Sequence, residues 1–244
     1  ARPADLVDKG NMQLVFSDEF TGQSLDENKW NPCYPWWNGE GCTNGNNKEW
    51  EWYQRENISL KDGILHLTGK KESVKPQGNP YTYDYTSGMI ASKEHWQYGY
   101  TEVRAKVPEG KGLWPALWQL PEDGKWPPEV DIVEVIGAKP DVALLSNHWG
   151  EKENPQKEVD YHAGDDLSQD FHTYGLDWKK DAITWFIDGE PVRKYTNTKN
   201  IPHKPMYFLA NLAIGGTLPG APDESTLFPA DFQIDYVRVY KDKQ

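Results

Sequence analysis

The stretch Ile58-Ser-Leu-Lys-Asp62-Gly63-Ile64-Leu-His-Leu-Thr68 decides the fold class. Two runs of strand-forming residues flank an Asp-Gly pair, the dipeptide that accepts positive φ at both centres of a tight hairpin turn. The spacing predicts an antiparallel hairpin. The pattern returns in Ile183-Thr-Trp-Phe-Ile187, Asp188-Gly189 and Glu190-Pro-Val-Arg-Lys-Tyr195. Tyr98-Gly-Tyr-Thr-Glu-Val-Arg-Ala-Lys-Val107 alternates like a strand, and Phe232-Gln-Ile-Asp-Tyr-Val-Arg-Val-Tyr240 is another strongly β-forming segment. Pro and Gly interrupt the chain too often for a long helical stripe. Many short strands with regular turn signals indicate a sandwich or a closed barrel. The reading adopted is an all-β antiparallel sandwich with a concave, solvent-facing sheet, walled by the long loops of residues 31–50 and 70–88.

A chain of 244 residues can bury a sizeable core, and no linker, repeat or low-complexity tract divides it, so residues 1–244 are read as one domain. Its apolar runs are too short to span a bilayer as a helix, and no membrane partner is expected. The start, Ala-Arg-Pro, is what a secreted protein trimmed of a signal peptide would show, and a truncated chain would show the same; an extracellular location is the expectation adopted. In that setting Cys33 and Cys42 would close a small disulfide loop; two unpaired thiols are the other reading. Asn57-Ile-Ser59 is a glycosylation sequon with meaning only in a eukaryotic secretory host.

The net charge of −12 argues against nucleic acid, which needs clustered Lys and Arg, and favours a neutral partner. It argues less strongly against a sulfated or uronic polymer, because a local basic groove is compatible with it. Twelve Trp and thirteen Tyr point toward glycans, since an aromatic face stacks on the C–H face of a sugar ring. Trp178 and Trp185 are core candidates; Trp36, Trp37, Trp114 and Trp118 are cleft candidates.

The chemistry concentrates in Pro127-Pro-Glu129-Val-Asp131-Ile-Val-Glu134-Val-Ile-Gly137. Alternation along a strand puts Glu129 and Asp131 on one face and Val130 and Ile132 on the other. Unbroken alternation would then send Glu134 into the core, where an unpaired charge costs several kcal/mol or more. One extra residue near Ile132-Val133, a β-bulge, resets the phase and returns Glu134 to the acidic face. Three neighbouring carboxylates should raise at least one pKa. Glycosidase chemistry needs that separation, with one carboxylate ionised and one protonated. A solvated edge strand and a Ca²⁺ site are the competing readings; the buried Val/Ile side opposes the first, and the lack of a Gly turn with loop ligands opposes the second. Glu129 and Glu134 would lie about 13 Å apart at Cα, close enough for the side chains to lean to the ~5–5.5 Å of a retaining pair. The sequence permits retention without proving it.

This motif resembles the bulged active-site strand of glycoside hydrolase family 16, in its laminarinase-like branch. Further segments resemble that family in order along the chain: Phe16-Ser-Asp-Glu-Phe20 with Trp30, then Asn46-Asn47-Lys-Glu49 with Tyr53, and Met89-Ile-Ala-Ser92. Tyr98-Gly, Glu102-Val-Arg104-Ala-Lys106 and Gly112-Leu-Trp114-Pro-Ala-Leu-Trp118 follow, then Asn147-His148-Trp149-Gly150 and Asp235-Tyr-Val-Arg-Val-Tyr240. The resemblance implies a β-jelly-roll sandwich with an open cleft and double displacement. It implies Glu129 as nucleophile, Glu134 as acid/base, and Asp131 as the group that hydrogen-bonds the nucleophile and separates the two pKa values. It further implies substrate contacts from Asn47, Arg104, Trp114, Trp118 and His148. Core packing is the other reading for the two tryptophans, a solvated strand position for Arg104, and a structural role for His148. No cofactor is expected for catalysis. A structural Ca²⁺ on the convex face is implied, with Glu19, the Gly63 carbonyl and Asp235 as ligands. Lys48 is an insertion-like departure from the usual Asn-Glu segment, and the Cys33–Cys42 loop is not a general element of the family; it is read as one wall of the cleft, near the non-reducing-side subsites.

The function expected is endo-hydrolysis of a neutral β-1,3-glucan such as laminarin, with mixed β-1,3/1,4-glucan as a further substrate, by a monomer. Hydrolysis of a galactan (agar or carrageenan) and transglycosylation are alternatives on the same fold. A non-catalytic glycan-binding module is the alternative from another class, but such a module has no use for three adjacent carboxylates. No Gly-x-Ser-x-Gly elbow or zinc-ligand spacing is present.

Overall fold

The computed structural model describes residues 7–35 and 42–244; Trp36 and Trp37 therefore lie outside the described residues. Two antiparallel sheets face each other. The cleft sheet runs β12 (Asn154–Ala163), β11 (Val142–Glu151), β10 (Glu129–Val135), β9 (Leu113–Pro121), β16 (Met206–Ile214), β7 (Met89–Ser92), β2 (Trp30–Asn31). The back sheet runs β15 (Glu190–Tyr195), β14 (Ile183–Ile187), β13 (His172–Trp178), β8 (Gly99–Lys106), β17 (Ala230–Asp242), β5 (Ile64–Gly69), β4 (Ile58–Lys61), and β1 (Met12–Asp18) also pairs with β17. A short parallel pair, β3 (Glu51–Tyr53) with β6 (Tyr85–Ser87), stands apart from both.

Both Asp-Gly turns form as the sequence predicts. Asp62 and Gly63 have φ of 55° and 74°, and Lys61 faces Ile64. Asp188 and Gly189 have φ of 50° and 80°, and Ile187 faces Glu190. Positive φ at both central residues matches the right-handed twist of the flanking strands.

The sandwich interior takes one side of each sheet. Val103 and Ala105 of β8, Leu113 and Leu117 of β9, and Trp178 and Trp185 of the back sheet are buried together there. On the outer side of the cleft sheet a second cluster gathers Tyr34, Tyr53, Met89, Ala116, Trp118, Tyr207 and Leu209. The cleft sheet is therefore packed on its inner face and, around β7, β9 and β16, on part of its outer face. A disulfide joins Cys33 to Cys42 beside this second cluster, with Cα atoms 5.4 Å apart.

Candidate active site

β10 carries the bulge its sequence requires. Asp131 faces Trp118 of β9 while Val133 faces Leu117, so two steps on β10 oppose one on β9. Toward β11, Asp131 faces Ser146 and Glu134 faces Leu144, three steps against two. Val130, Ile132, Val133 and Val135 all join the interior cluster. Each such side chain gains roughly 1.5–3 kcal/mol on burial, so the apolar set locks the register and leaves Glu129, Asp131 and Glu134 on the cleft face. A back-sheet side chain pins the irregular step: the Trp185 indole N–H donates to the Asp131 carbonyl oxygen at 2.8 Å. The bulge disrupts the strand ladder at this point, and the core tryptophan supplies a donor to its backbone.

Asp131 is the centre of the group, 1% exposed and hydrogen-bonded to both glutamates. Burial raises its pKa well above the usual range, and the charges of Glu129 and Glu134 push it further in the same direction. Glu134 is raised to about 7, first by burial and then by the charge of Glu129; hydrogen bonds from Asp131 and Trp114 and the charge of Lys157 offset part of this. The Trp114 indole N–H donates to Glu134 Oε1 at 3.2 Å, and the Trp126 indole N–H donates to Glu129 Oε2 at 2.6 Å. His148 Nε2 sits 2.9 Å from Asp131 Oδ2 and 3.7 Å from Glu129 Oε1. Near neutrality Glu134 is thus partly protonated, and Asp131, between the two glutamates, is held toward its neutral form.

A second acidic group lies under the same face. The Trp118 indole N–H donates to Asn211 Oδ1 at 2.8 Å, and the Asn211 amide donates to the Tyr53 hydroxyl at 3.0 Å. The Tyr53 hydroxyl in turn donates to Glu51 Oε1 at 2.9 Å. Glu51 is fully buried and accepts from the Ile214 backbone N–H at 3.0 Å. Glu49 is raised to about 7 by burial, and Glu51 well above the usual range by burial and by the charge of Glu49. The inserted Lys48 is absorbed where the backbone turns left-handed, φ 56°, leaving the Asn47 amide to donate to Glu49 Oε1 at 3.1 Å.

Of the residues singled out from sequence, Glu129, Asp131, Glu134, Trp114, Trp118 and His148 come together on the cleft face. Asn47 lies at its margin, with its side chain held by Glu49. Arg104 requires a correction. It belongs to β8 of the back sheet, and because Val103 and Ala105 face the interior, Arg104 points away from the cleft. There it donates to Asp235 at 2.8 Å and lies over the Phe171 ring. The expected calcium ligands are also engaged: Arg238 holds Glu19 through two hydrogen bonds, 2.8 and 3.2 Å, and Arg104 holds Asp235. Among the described residues, three metal-ligating side chains converge at Glu129, Asp131 and His148.

Sequence reading passed over Trp126, Glu51 and Asn211. Glu51 carries a legible signal, an acidic residue alternating with Tyr53 in a short apolar strand. Trp126 carries none, because the loop before β10 has no periodicity from which to aim a side chain.

Two antiparallel sheets with glutamates flanking a buried aspartic acid on the open face define a glycoside-hydrolase β-sandwich. The chain belongs to the glycosyl hydrolases of family 16, whose family model matches residues 44–238. It is 35% identical to the endo-1,3-1,4-beta-glycanase EglC of Rhizobium meliloti (strain 1021) over 96% of the chain and 53% of that protein, so it spans about half the length of that relative. The catalytic domain of an endo-1,3-beta-glucanase (laminarinase) from Thermotoga petrophila RKU-1 superposes with a TM-score of 0.83 at 34% identity, covering 96% of this chain and 99% of that one. SCLam, a non-specific endo-beta-1,3(4)-glucanase, does so with a TM-score of 0.84 at 31% identity, covering 96% of each chain.

Proposed function

We propose that this protein is a retaining endo-β-glucanase acting on β-1,3-glucan and on mixed-linkage β-1,3/1,4-glucan. The observation that carries the reading is the bulge that sets Glu134 on the face of Glu129 and Asp131. A Glu129 carboxylate oxygen attacks the anomeric carbon as the glycosidic C–O bond breaks, and the Glu134 proton passes to the departing oxygen. Glu134, now anionic, takes a proton from water, whose oxygen attacks the same carbon and releases Glu129. Two inversions give net retention. Asp131 stays protonated and donates to whichever glutamate bears the larger negative charge, which lowers the cost of moving charge along the strand.

The names and sequence similarity of the relatives support a glucan substrate, and a net charge of −12 suits a neutral polymer. Secretion is supported by the Cys33–Cys42 disulfide, and the protein is taken to act as a monomer. Calcium at Glu19, the Gly63 carbonyl and Asp235 rests on family resemblance alone, since the ion must displace Arg238 and Arg104 from the two carboxylates. A rise in Tm on adding Ca²⁺, abolished in Glu19→Ala, tests it. The decisive experiment is a product profile on laminarin, mixed-linkage glucan and agarose with the anomer of the first product recorded. β-Configured oligosaccharides from both glucans are expected; α-configured products, or cleavage of agarose alone, overturn the reading.

A further inference from the structure

The edge strand beside the carboxylates carries side chains that the chemistry above does not use. β12 pairs with β11 without a register shift, so facing positions transfer directly from β10. Glu129 faces His148, which faces Lys157; Asp131 faces Ser146, which faces Val159; Glu134 faces Leu144, which faces Tyr161. Directly opposed residues of an antiparallel pair project to the same side of the sheet.

Two observations check this phase independently. Glu158, one residue out of phase with Lys157, is turned toward the back sheet, where Arg193 Nη2 donates to its Oε1 at 2.8 Å. On β11, Ala143 and Leu145 join the interior cluster while Leu144 between them does not, so Leu144 and its partner Tyr161 take the other side of the sheet. Tyr161 therefore stands on the cleft face two strand spacings from Glu134, about 10 Å. It is 65% exposed, and its ring and hydroxyl have no partner among the described residues.

The two arms of the cleft differ in construction. On the β9 and β16 side, Trp118, Asn211, Tyr53 and Glu51 form a continuous chain of hydrogen bonds that holds the floor rigid. On the β12 side Lys157 and Tyr161 are exposed and Val159 between them is half-buried. Double displacement makes different demands on the two sides. The glycosyl unit stays bound to Glu129 through both steps, whereas the leaving portion must depart and let water or another sugar enter.

Resting on the retaining-glucanase reading, we propose that the cleft face of β12 binds the sugar units on the leaving-group side, with Tyr161 as the stacking platform and Val159 and Lys157 beside it. The same platform receives the acceptor when a sugar hydroxyl replaces water. Tyr161 is then a substrate-positioning residue that takes no part in proton transfer.

The test compares laminari-oligosaccharides with an aryl β-laminaribioside, whose nitrophenol leaving group needs no sugar site. Tyr161→Ala should lower kcat/KM on the oligosaccharides about three- to tenfold, and reduce transfer to an added oligosaccharide acceptor, while leaving aryl glycoside hydrolysis within twofold. Tyr161→Leu, which keeps apolar bulk without a flat ring, should behave like Tyr161→Ala, and Tyr161→Phe like the parent. An unchanged Tm in each variant separates the effect from misfolding. Equal losses on both substrates, or no loss on either, overturn the proposal. Failure of the parent protein to cleave either substrate instead overturns the glucanase reading beneath it.

Discussion

Glu134 on β10 and Glu49 beside β3 both titrate near 7, and in both the largest cause is burial. Each has a second carboxyl close by, Asp131 or Glu51, raised further by its neighbour's charge. By titration alone the two groups are alike. Their surroundings separate them. Around Glu49 and Glu51 the oxygens are taken up by Asn47, Thr43, Tyr53 and the Ile214 N–H, beneath the rings of Tyr34 and Tyr53. Around Glu129 and Glu134 the partners are Asp131 between them and indoles at the cleft face, and neither glutamate is fully buried. A raised carboxyl pKa marks a functional site only when the group also faces space a substrate can enter. The closed cluster serves the open one through Tyr53 and Asn211, which fix the Trp118 ring across from Asp131.

Removing Glu129, the proposed nucleophile, is the strongest way to sharpen this contrast. Glu129→Ala should cut turnover on laminarin by on the order of 10⁴-fold with little change in Tm, whereas no substitution in the Glu49–Glu51 group should approach that loss. Reducing-sugar assays on the two purified variants check this, and comparable losses would dissolve the distinction.

Glu134→Gln should lower turnover on the polymer about 10²–10⁴-fold and spare substrates whose leaving group needs no proton. If Glu134 is the acid of the proposed mechanism it enters the cycle protonated, and the parent's rate should fall as pH rises through about 7. Glu51→Gln should leave that limb in place.

Stability should depend on pH through both groups. Glu134 and Glu49 bind their protons more tightly folded, at about 7, than at the ordinary 4.5, so the stabilisation is complete below about pH 4.5 and is lost as pH rises through 7. Tm measured from pH 4.5 to 7.5 should decline, and Glu134→Gln and Glu49→Gln should each flatten part of the slope.

Smaller effects follow the hydrogen-bond chain. Glu51→Ala strands the Ile214 N–H and removes the shorter of the Tyr53 hydroxyl's two acceptors, and should cost about 1–3 kcal/mol in denaturant unfolding, more than Glu51→Gln. Trp118→Phe breaks only the indole bond to Asn211 and should cost about 1 kcal/mol, with KM on laminarin rising more than kcat falls. A loss confined to kcat would place Trp118 with the catalytic group instead.

The sequence by itself determined the hairpins at Asp62-Gly63 and Asp188-Gly189, the two-sheet β class, the acidic face of β10 and the bulge within it. These are local matters of turn chemistry, a period of two, and the cost of burying an unpaired glutamate among valines. The family resemblance added an order of segments but misplaced Arg104, because a strand's alternation does not say which sheet it joins. The tertiary structure alone decided that Arg104 faces away from the cleft, that Trp185 crosses the core to hold the bulge, and that Glu51 reaches Trp118 through two intermediaries. It also carried the face of β10 across β11 to Tyr161. Each of these rests on contacts between segments remote in the chain, and such contacts are set by how the sheets pack, which no local pattern of residues encodes.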